Sequence, residues 1–375
     1  MTVRVVVLGC GFGGVEVART LRKETNELEL VMVDRSTRFD YQPAYPELLS
    51  GKVTPEEISA DLSTFAAKIG ASFLHAEVQE IKFPAQTVTL GSIPAGKAQE
   101  VRYDFLVLAL GAEQTFFGIP GAEEFSYTVD TMAAATETKS ALDQREYTNA
   151  PNIFVIGGGL SGIEVAGELV DYLKARDAHA HIFLVEMMPR LLPGFPRETV
   201  SNYVSTFLRA RGVEIMTNTA VQEVEKREIT FRDGRKLPYE LIIWTAGIKP
   251  SCLCEQLDLP KQKGWLNVDR YLRIAGMERV FAVGDAACFE AHGLRSGQNV
   301  EEAEAQGTRA ARNILRTLRG ARLRAYKPKN TIQNPRAIIS LGDGKAVVYS
   351  NRFMFTTLGY RIKKFIERHY MMRFR

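Results

Sequence analysis

Two glycine-rich turns constrain this chain more than any other feature. Val3–Leu8 is a short apolar, β-branched run that breaks into Gly9-Cys10-Gly11-Phe12-Gly13-Gly14. A helical stretch over Val15–Lys23 and a second strand over Leu28–Val33 follow, closing on Asp34. The same order returns in Ile153–Ile156, Gly157-Gly158-Gly159-Leu160-Ser161-Gly162, a helical stretch over Ile163–Lys174 and the strand His181–Val185, which closes on Glu186. Gly9 and Gly157 permit the tight turn, Gly11 and Gly159 let a pyrophosphate approach the backbone, and Gly14 and Gly162 let helix and strand pack closely. The helix N-terminus then meets the phosphate charge with its unsatisfied N–H groups. Asp34 and Glu186 stand where a carboxylate reaches ribose hydroxyls. One such turn can arise by chance. Two, each with strand, helix and acid in order, predict two Rossmann-like dinucleotide-binding units and an α/β fold.

Composition agrees with a folded chain of this kind. The 375 residues are 45% apolar and 25% charged, with Gly 30, Pro 15 and Cys 4, which excludes disordered, collagenous and disulfide-stapled classes. The net charge of +4 is unevenly placed: Asn351–Arg375 holds seven basic residues against the acid Glu367, so the rest of the chain sums to −2. Nucleic-acid binding is not expected, because its basic charge is normally spread along a binding face. No run approaches the ~18–20 apolar residues of a membrane span. Val3–Leu8 enters the glycine loop directly, so no secretory signal is expected and the cytoplasm is the expected compartment. Cys10, Cys252, Cys254 and Cys288 form no CxxC pair and no zinc-ligand spacing, so reduced thiols and no metal are expected.

With both motifs in view, the chain resembles the two-dinucleotide-binding-domain flavoproteins, the pyridine-nucleotide-dependent FAD oxidoreductases. Three further segments carry the likeness. Leu106–Ala112, with Gly111, resembles the exit from an FAD domain, and Leu241–Gly247 resembles the exit from an NADH domain. Val280–Ala286 resembles the returning FAD strand, whose Asp285 is implied to hold the ribityl chain. The resemblance implies that the first copy binds FAD and that the second, inserted copy binds NADH. The implied limits are 1–115 and 266–325 for the FAD domain, 116–150 for a connecting segment, 151–265 for the NADH domain and 326–375 for a C-terminal membrane-associating region. Glu186 would repel a 2′-phosphate and so favours NADH over NADPH, although Arg190 lies four residues on.

The segment after the first unit constrains the electron acceptor. Glutathione-reductase-like relatives place a CxxxxC disulfide there, but Phe39–Gly51 holds no cysteine. That segment, with Gln42-Pro43 and Leu48–Gly51, resembles the flavin-covering loop of type II NADH dehydrogenases, and Ile338–Val348 with the basic aromatic tail resembles their C-terminal region. Glu302–Ala310 resembles their quinone-site helix. Ala305 and Gln306 match its AQxAxQ-type pattern, whereas Thr308 and Ala310 depart from it and a preceding proline is absent. The resemblance implies hydride transfer from NADH to FAD, then two electrons to a membrane quinone without proton pumping. Pro43 is implied in cofactor binding, Gln306 in catalysis, and Glu164 as a buried proton donor or relay. The N-terminus of the Glu302 helix is the candidate to face the flavin, with Glu301 and Glu302 opposing that role if they turn toward it.

In the tail, Leu358, Ile362, Phe365, Ile366, His369 and Tyr370 fall at helical spacing, with Arg361, Lys364 and Arg368 on the other side. This predicts an interfacial helix that holds the enzyme peripherally on the inner face of the cell membrane. Truncation near Ser350 is then expected to free the enzyme from membranes while sparing electron transfer to soluble dyes. A homodimer is compatible with the resemblance. Competing readings are a sulfide:quinone reductase, a ferredoxin or rubredoxin reductase, and an apoptosis-inducing-factor-like flavoprotein.

Overall fold

A computed structural model describes residues 2–93 and 98–375. β1 (Arg4–Leu8), α1 (Phe12–Glu24) and β2 (Glu29–Asp34) form the first β-α-β unit, with β1 and β2 parallel and Leu8 opposite Val33. After α2 (Tyr45–Ser50), the strands β3 (Ser72–Lys82), β4 (Thr87–Ser92), β5 (Gln99–Arg102) and β6 (Phe105–Leu108) extend the sheet. Its order is Val280–Ala282, β6, β1, β2, β3, β4, β5. The first five strands run parallel and the last two pair as an antiparallel meander. Val5–Leu8 and Leu106–Leu108 are fully buried, as a parallel sheet covered on both faces requires.

Val280–Ala282, the neighbour of β6, arrives only after the whole second unit, so that unit is inserted into the first as expected. It comprises β7 (Asn152–Ile156), α3 (Leu160–Ala175), β8 (His181–Val185), α4 (Glu198–Ala210), β9 (Val213–Met216) and β10 (Leu241–Trp244), in the parallel order β9-β8-β7-β10. The outgoing and incoming chains pair with each other, Ala112–Gln114 antiparallel to Ile248–Pro250. The Gln114 amide also donates to the carbonyls of Ala246 and Gly247, each at 2.8 Å.

α1 begins at Phe12 and α3 at Leu160, three residues earlier than the sequence pattern suggests. Low helix propensity argues against glycine in a first turn, but close packing demands it. A Cβ on Gly14 would lie 1.9 Å from the carbonyl oxygen of Gly9, and one on Gly162 1.8 Å from that of Gly157.

α5 (Val300–Leu318) returns along α1, and a Cβ on Gly307 would stand 2.6 Å from the Gly13 carbonyl. β11 (Ala337–Gly342) and β12 (Lys345–Tyr349) then form a hairpin laid on α3, where Gly167 admits the backbone of Leu341 to 2.5 Å of its Cβ position. α6 (Gly359–Met371) closes the chain.

The tail helix exists and leaves Leu358, Phe365 and Ile366 of the expected apolar stripe exposed, but it turns Tyr370 and a polar seam onto the body. Its buried face is Gly359, Lys363, Glu367, Tyr370 and Met371, with Phe374 beyond. Tyr370 and Phe374 stack on Phe39, and Phe374 packs on Phe65. Leu358, Phe365, Ile366 and Met372 are exposed, Phe365 at 69%. Three of the seven basic residues of the tail, Lys363, Lys364 and Arg373, pair with acids of the body. The buried carboxylate of Glu47 draws the polar seam inward, because an unpaired charge there would cost several kcal/mol. Of the apolar stripe, Leu358, Phe365 and Ile366 are left outside.

Candidate active site

A cleft of about 2190 Å³ runs from the first glycine loop, past the front of α3, to the C-terminal hairpin and α6. Gly9 turns at φ +93°, and a Cβ there would strike the Ala109 carbonyl oxygen at 2.2 Å. Gly11 is the opposite case: nothing lies within 4 Å of its Cβ position, and the N-terminus of α1 behind it has no side-chain cap. That is an open cradle with free N–H donors, the shape and polarity a pyrophosphate needs. Asp34, half-buried on the cleft, accepts from the N–H of Cys10 at 2.6 Å and of Ser36 at 2.8 Å.

The second loop repeats this arrangement bond for bond. Gly157 turns at φ +112°, Gly159 has open space beside it, and Glu186 accepts from the N–H of Gly158 at 2.8 Å and of Met188 at 2.7 Å. Gly157, Gly159, Gly162, Glu186 and Gly247 do not border the large cleft, which meets this unit only at Leu160, Ser161 and Glu164. Arg190 spends its guanidinium on the carbonyls of Leu192 (3.3 Å) and Phe195 (2.7 Å), so it presents no free fork beside Glu186.

Gly111, Pro43 and Asp285 line the cleft. Burial pushes the Asp285 carboxyl up to about 6, and among the described residues no side chain is bonded to it. A carboxylate in that state seeks a hydroxyl from a ligand. These observations fit FAD: an open phosphate cradle at Gly11, a ribose-side acid at Asp34, and an unpartnered acid at Asp285 further along the same cleft.

α5 starts at the cleft with Asn299 capping the N–H of Glu302 at 3.1 Å. Glu302 turns away from the cleft. It accepts from the N–H groups of Lys329 (2.9 Å) and Asn330 (2.8 Å) and from the Tyr326 hydroxyl, while Glu301 pairs with Arg336 at 3.1 Å. The opposition expected from Glu302 is therefore absent, and the positive end of α5 faces the cleft. Gln306, expected in catalysis, does not border the cleft. It stands behind the cleft wall, accepting from the N–H of Gly284 at 2.8 Å and donating to Ser296 Oγ at 2.9 Å. It holds the turn that carries Asp285.

Glu164 is buried and borders the cleft. One carboxylate oxygen accepts from the N–H of Ser340 at 2.8 Å and from the Lys363 ammonium at 2.9 Å. Lys363 also lies 3.2 Å from Glu47, which pairs with Lys364 at 2.9 Å. Burial raises the Glu164 carboxyl despite Lys363, whereas burial of Glu47 is outweighed by Lys363 and Lys364, which bring it below its ordinary value. Lys363 and Glu47 are site residues that sequence reasoning misses. The spacing of Gly359, Lys363, Glu367 and Tyr370 on one helical face is the available signal.

Residues 3–307 match the pattern of the pyridine nucleotide-disulphide oxidoreductases. The chain belongs to that family. It is 31% identical over 294 residues, 76% of this chain and 72% of the relative, to the demethylphylloquinone reductase NdbB of Synechocystis. It is 25% identical over 374 residues, 92% and 90% of the two chains, to a type II NADH:quinone oxidoreductase of Staphylococcus saprophyticus. The fold is that of the NDH2 of Plasmodium falciparum solved with NADH, at TM-score 0.86 and 16% identity over 100% and 98% of the chains. It is shared with the sulfide:quinone oxidoreductase of Aquifex aeolicus, at 0.84 and 22% over 100% and 91%. Despite the family's description, all four cysteines are free thiols, and of them Cys10 alone borders the cleft.

Proposed function

We propose that this protein is a non-electrogenic NADH:quinone oxidoreductase that carries two electrons from NADH through FAD to a membrane quinone. The carrying observation is the continuity of the cleft. Its lining includes both the Gly9–Gly13 cradle and, in the C-terminal region, Phe353 and Ile366, two exposed apolar residues. The relatives named type II NADH:quinone oxidoreductase carry the same activity. Bound FAD supplies hydride acceptance and two-electron release. Gly9, Gly11, Gly14, Asp34, Pro43, Gly111 and Asp285 hold it, and Gly157, Gly159, Gly162, Glu186 and Gly247 hold NADH. Glu186, with Arg190 already engaged, favours NADH over NADPH.

Glu164 would hold and pass a proton at its carboxylate on the cleft, since burial raises its pKa and so favours the protonated form. Lys363 fixes its orientation. The outward stripe of α6, with Arg361 and Arg368 beside it, supports peripheral attachment to a membrane that delivers the quinone. Among the described residues no helix is long and apolar enough to cross a bilayer.

The sulfide reading shares the fold, but it needs sulfur-holding cysteines at the cleft. Here Cys10 lies in the phosphate turn with its thiol directed at the Val33 carbonyl. Steady-state oxidation of NADH and NADPH by FAD-loaded protein, with menaquinone and ubiquinone analogues, sulfide and a ferredoxin as partners, tests the reading. Rapid NADH oxidation with a quinone is expected, and turnover confined to sulfide or ferredoxin overturns it. For Glu164→Gln, flavin reduction by NADH persists while quinone turnover falls by roughly 10²-fold or more.

A further inference from the structure

A second hollow, of about 490 Å³, opens where α4, the β11–β12 hairpin and the start of α6 meet. Tyr203 and Phe207, one turn apart on α4, line it with stacked rings 6.4 Å apart. Thr356 and Thr357 contribute hydroxyls, and Lys345 and Arg361 contribute two cations. Among the described residues no carboxylate stands on its wall. Both cations are exposed and, among the described residues, neither enters an ion pair. This separates them from Lys363, Lys364 and Arg373 of the same tail, which are spent on acids of the body. Two like charges facing one hollow repel each other, and an anion between them removes that cost. The rim residue Leu358 is 56% exposed and leads to the outward apolar face that carries Phe365 and Ile366.

We propose that this hollow seats the phosphate headgroup of an anionic membrane lipid, with its acyl chains running over Leu358 onto the apolar face of α6. The proposal rests on the peripheral membrane reading above and adds a discrete site to it. Arg361 offers a planar fork to phosphate oxygens and Lys345 a compact charge. Thr356 and Thr357 can bond the glycerol portion, and the ring of Tyr203 suits the headgroup level of a bilayer.

The test uses full-length, FAD-loaded protein and two charge-matched double variants. Lys345→Gln with Arg361→Gln removes the hollow's cations, and Arg352→Gln with Arg368→Gln removes two exposed cations outside it. Dihexanoyl phosphatidylglycerol below its micelle concentration is expected to raise the melting temperature of the unmodified protein and of the second variant, but not of the first. Dihexanoyl phosphatidylcholine and inorganic phosphate are expected to leave all three unchanged. On phosphatidylcholine vesicles containing phosphatidylglycerol, the hollow variant should lose about tenfold more affinity than its partner, the order of one charge-assisted hydrogen bond. Equal losses in the two variants overturn the headgroup site while leaving membrane attachment intact. Protection by inorganic phosphate alone overturns the lipid as occupant. Failure of the unmodified protein to bind any vesicle overturns both this inference and the membrane reading.

Discussion

Replacing Lys363 with methionine keeps the unbranched chain and removes its charge. In the structure the ammonium lies 2.9 Å from Glu164 and 3.2 Å from Glu47 and is 6% exposed. Breaking a buried pair by removing one partner costs about 3–5 kcal/mol. Glu164 keeps the Ser340 N–H and Glu47 keeps Lys364, which argues for the lower end, about 3 kcal/mol. For a chain of 375 residues, with an unfolding entropy of about 2.1 cal/mol/K per residue, that is a fall of roughly 4 °C in melting temperature. The pH dependence has a definite sign. Glu47 is held below its ordinary value, so in the unmodified protein its pairing contributes stability that is full above about pH 4.5 and fades as pH falls through its folded value. Glu164 is already raised by burial and rises further once Lys363 is gone. Acid therefore neutralises the orphaned Glu164 carboxylate in the variant, while the Glu47 pairs of the parent persist down to about pH 4.5. The deficit is largest near pH 8 and shrinks toward pH 5. Thermal unfolding followed by released-flavin fluorescence at both pH values reads it, and Lys363→Met with Glu164→Gln closes a double-mutant cycle. A deficit under about 1 kcal/mol, or one that grows toward acid, would refute the account of this cluster.

The two glycines of the second loop should fail in different ways. Gly159→Ala enters open space and should raise the KM for NADH with little change in melting temperature, whereas Gly162→Ala drives a methyl into the Gly157 carbonyl and should unfold the unit. Calorimetry beside kinetics separates them. Asp285→Ala should weaken FAD by about 1.5–3 kcal/mol, the value of one charged hydrogen bond, read as flavin content after dialysis. Phe365→Ser with Ile366→Ser should abolish vesicle binding at unchanged melting temperature, because both side chains are exposed. Truncation after Ser350 should do much more. It strips Tyr370, Met371 and Phe374 from the body at about 1.5–3 kcal/mol each and orphans Glu47 and Glu164. Loss of flavin and of dye reduction is expected, correcting the expectation that such a truncation spares electron transfer.

The two nucleotide units are legible from single positions because their requirements are short-ranged and steric. A residue at φ +93° or +112°, or one whose Cβ would sit within 2 Å of a carbonyl, must be glycine. The glycine turn, helix and terminal acid follow one another closely in sequence, so Gly9 to Asp34 and Gly157 to Glu186 announce themselves. Asp285 and Gly111 need the family likeness, since a lone strand-end acid or loop glycine carries no such constraint. The helix starts differ from the expectation for a related reason: propensity alone moves them past glycines that tertiary packing requires.

What the tertiary structure alone decided is how the tail meets the site. Periodicity identifies an amphipathic helix at Gly359–Met371, but amphipathicity does not specify which face turns inward. That depends on Glu47 and Glu164, carboxylates about 200 or more residues away in sequence, whose burial is tolerable only with Lys363 and Lys364 beside them. Partners supplied by other segments likewise hold Gln306, through the Gly284 N–H and Ser296 Oγ, and Glu302, through Tyr326, Lys329 and Asn330. Buried charges answer to partners brought together by the fold, and local sequence carries no record of those partners.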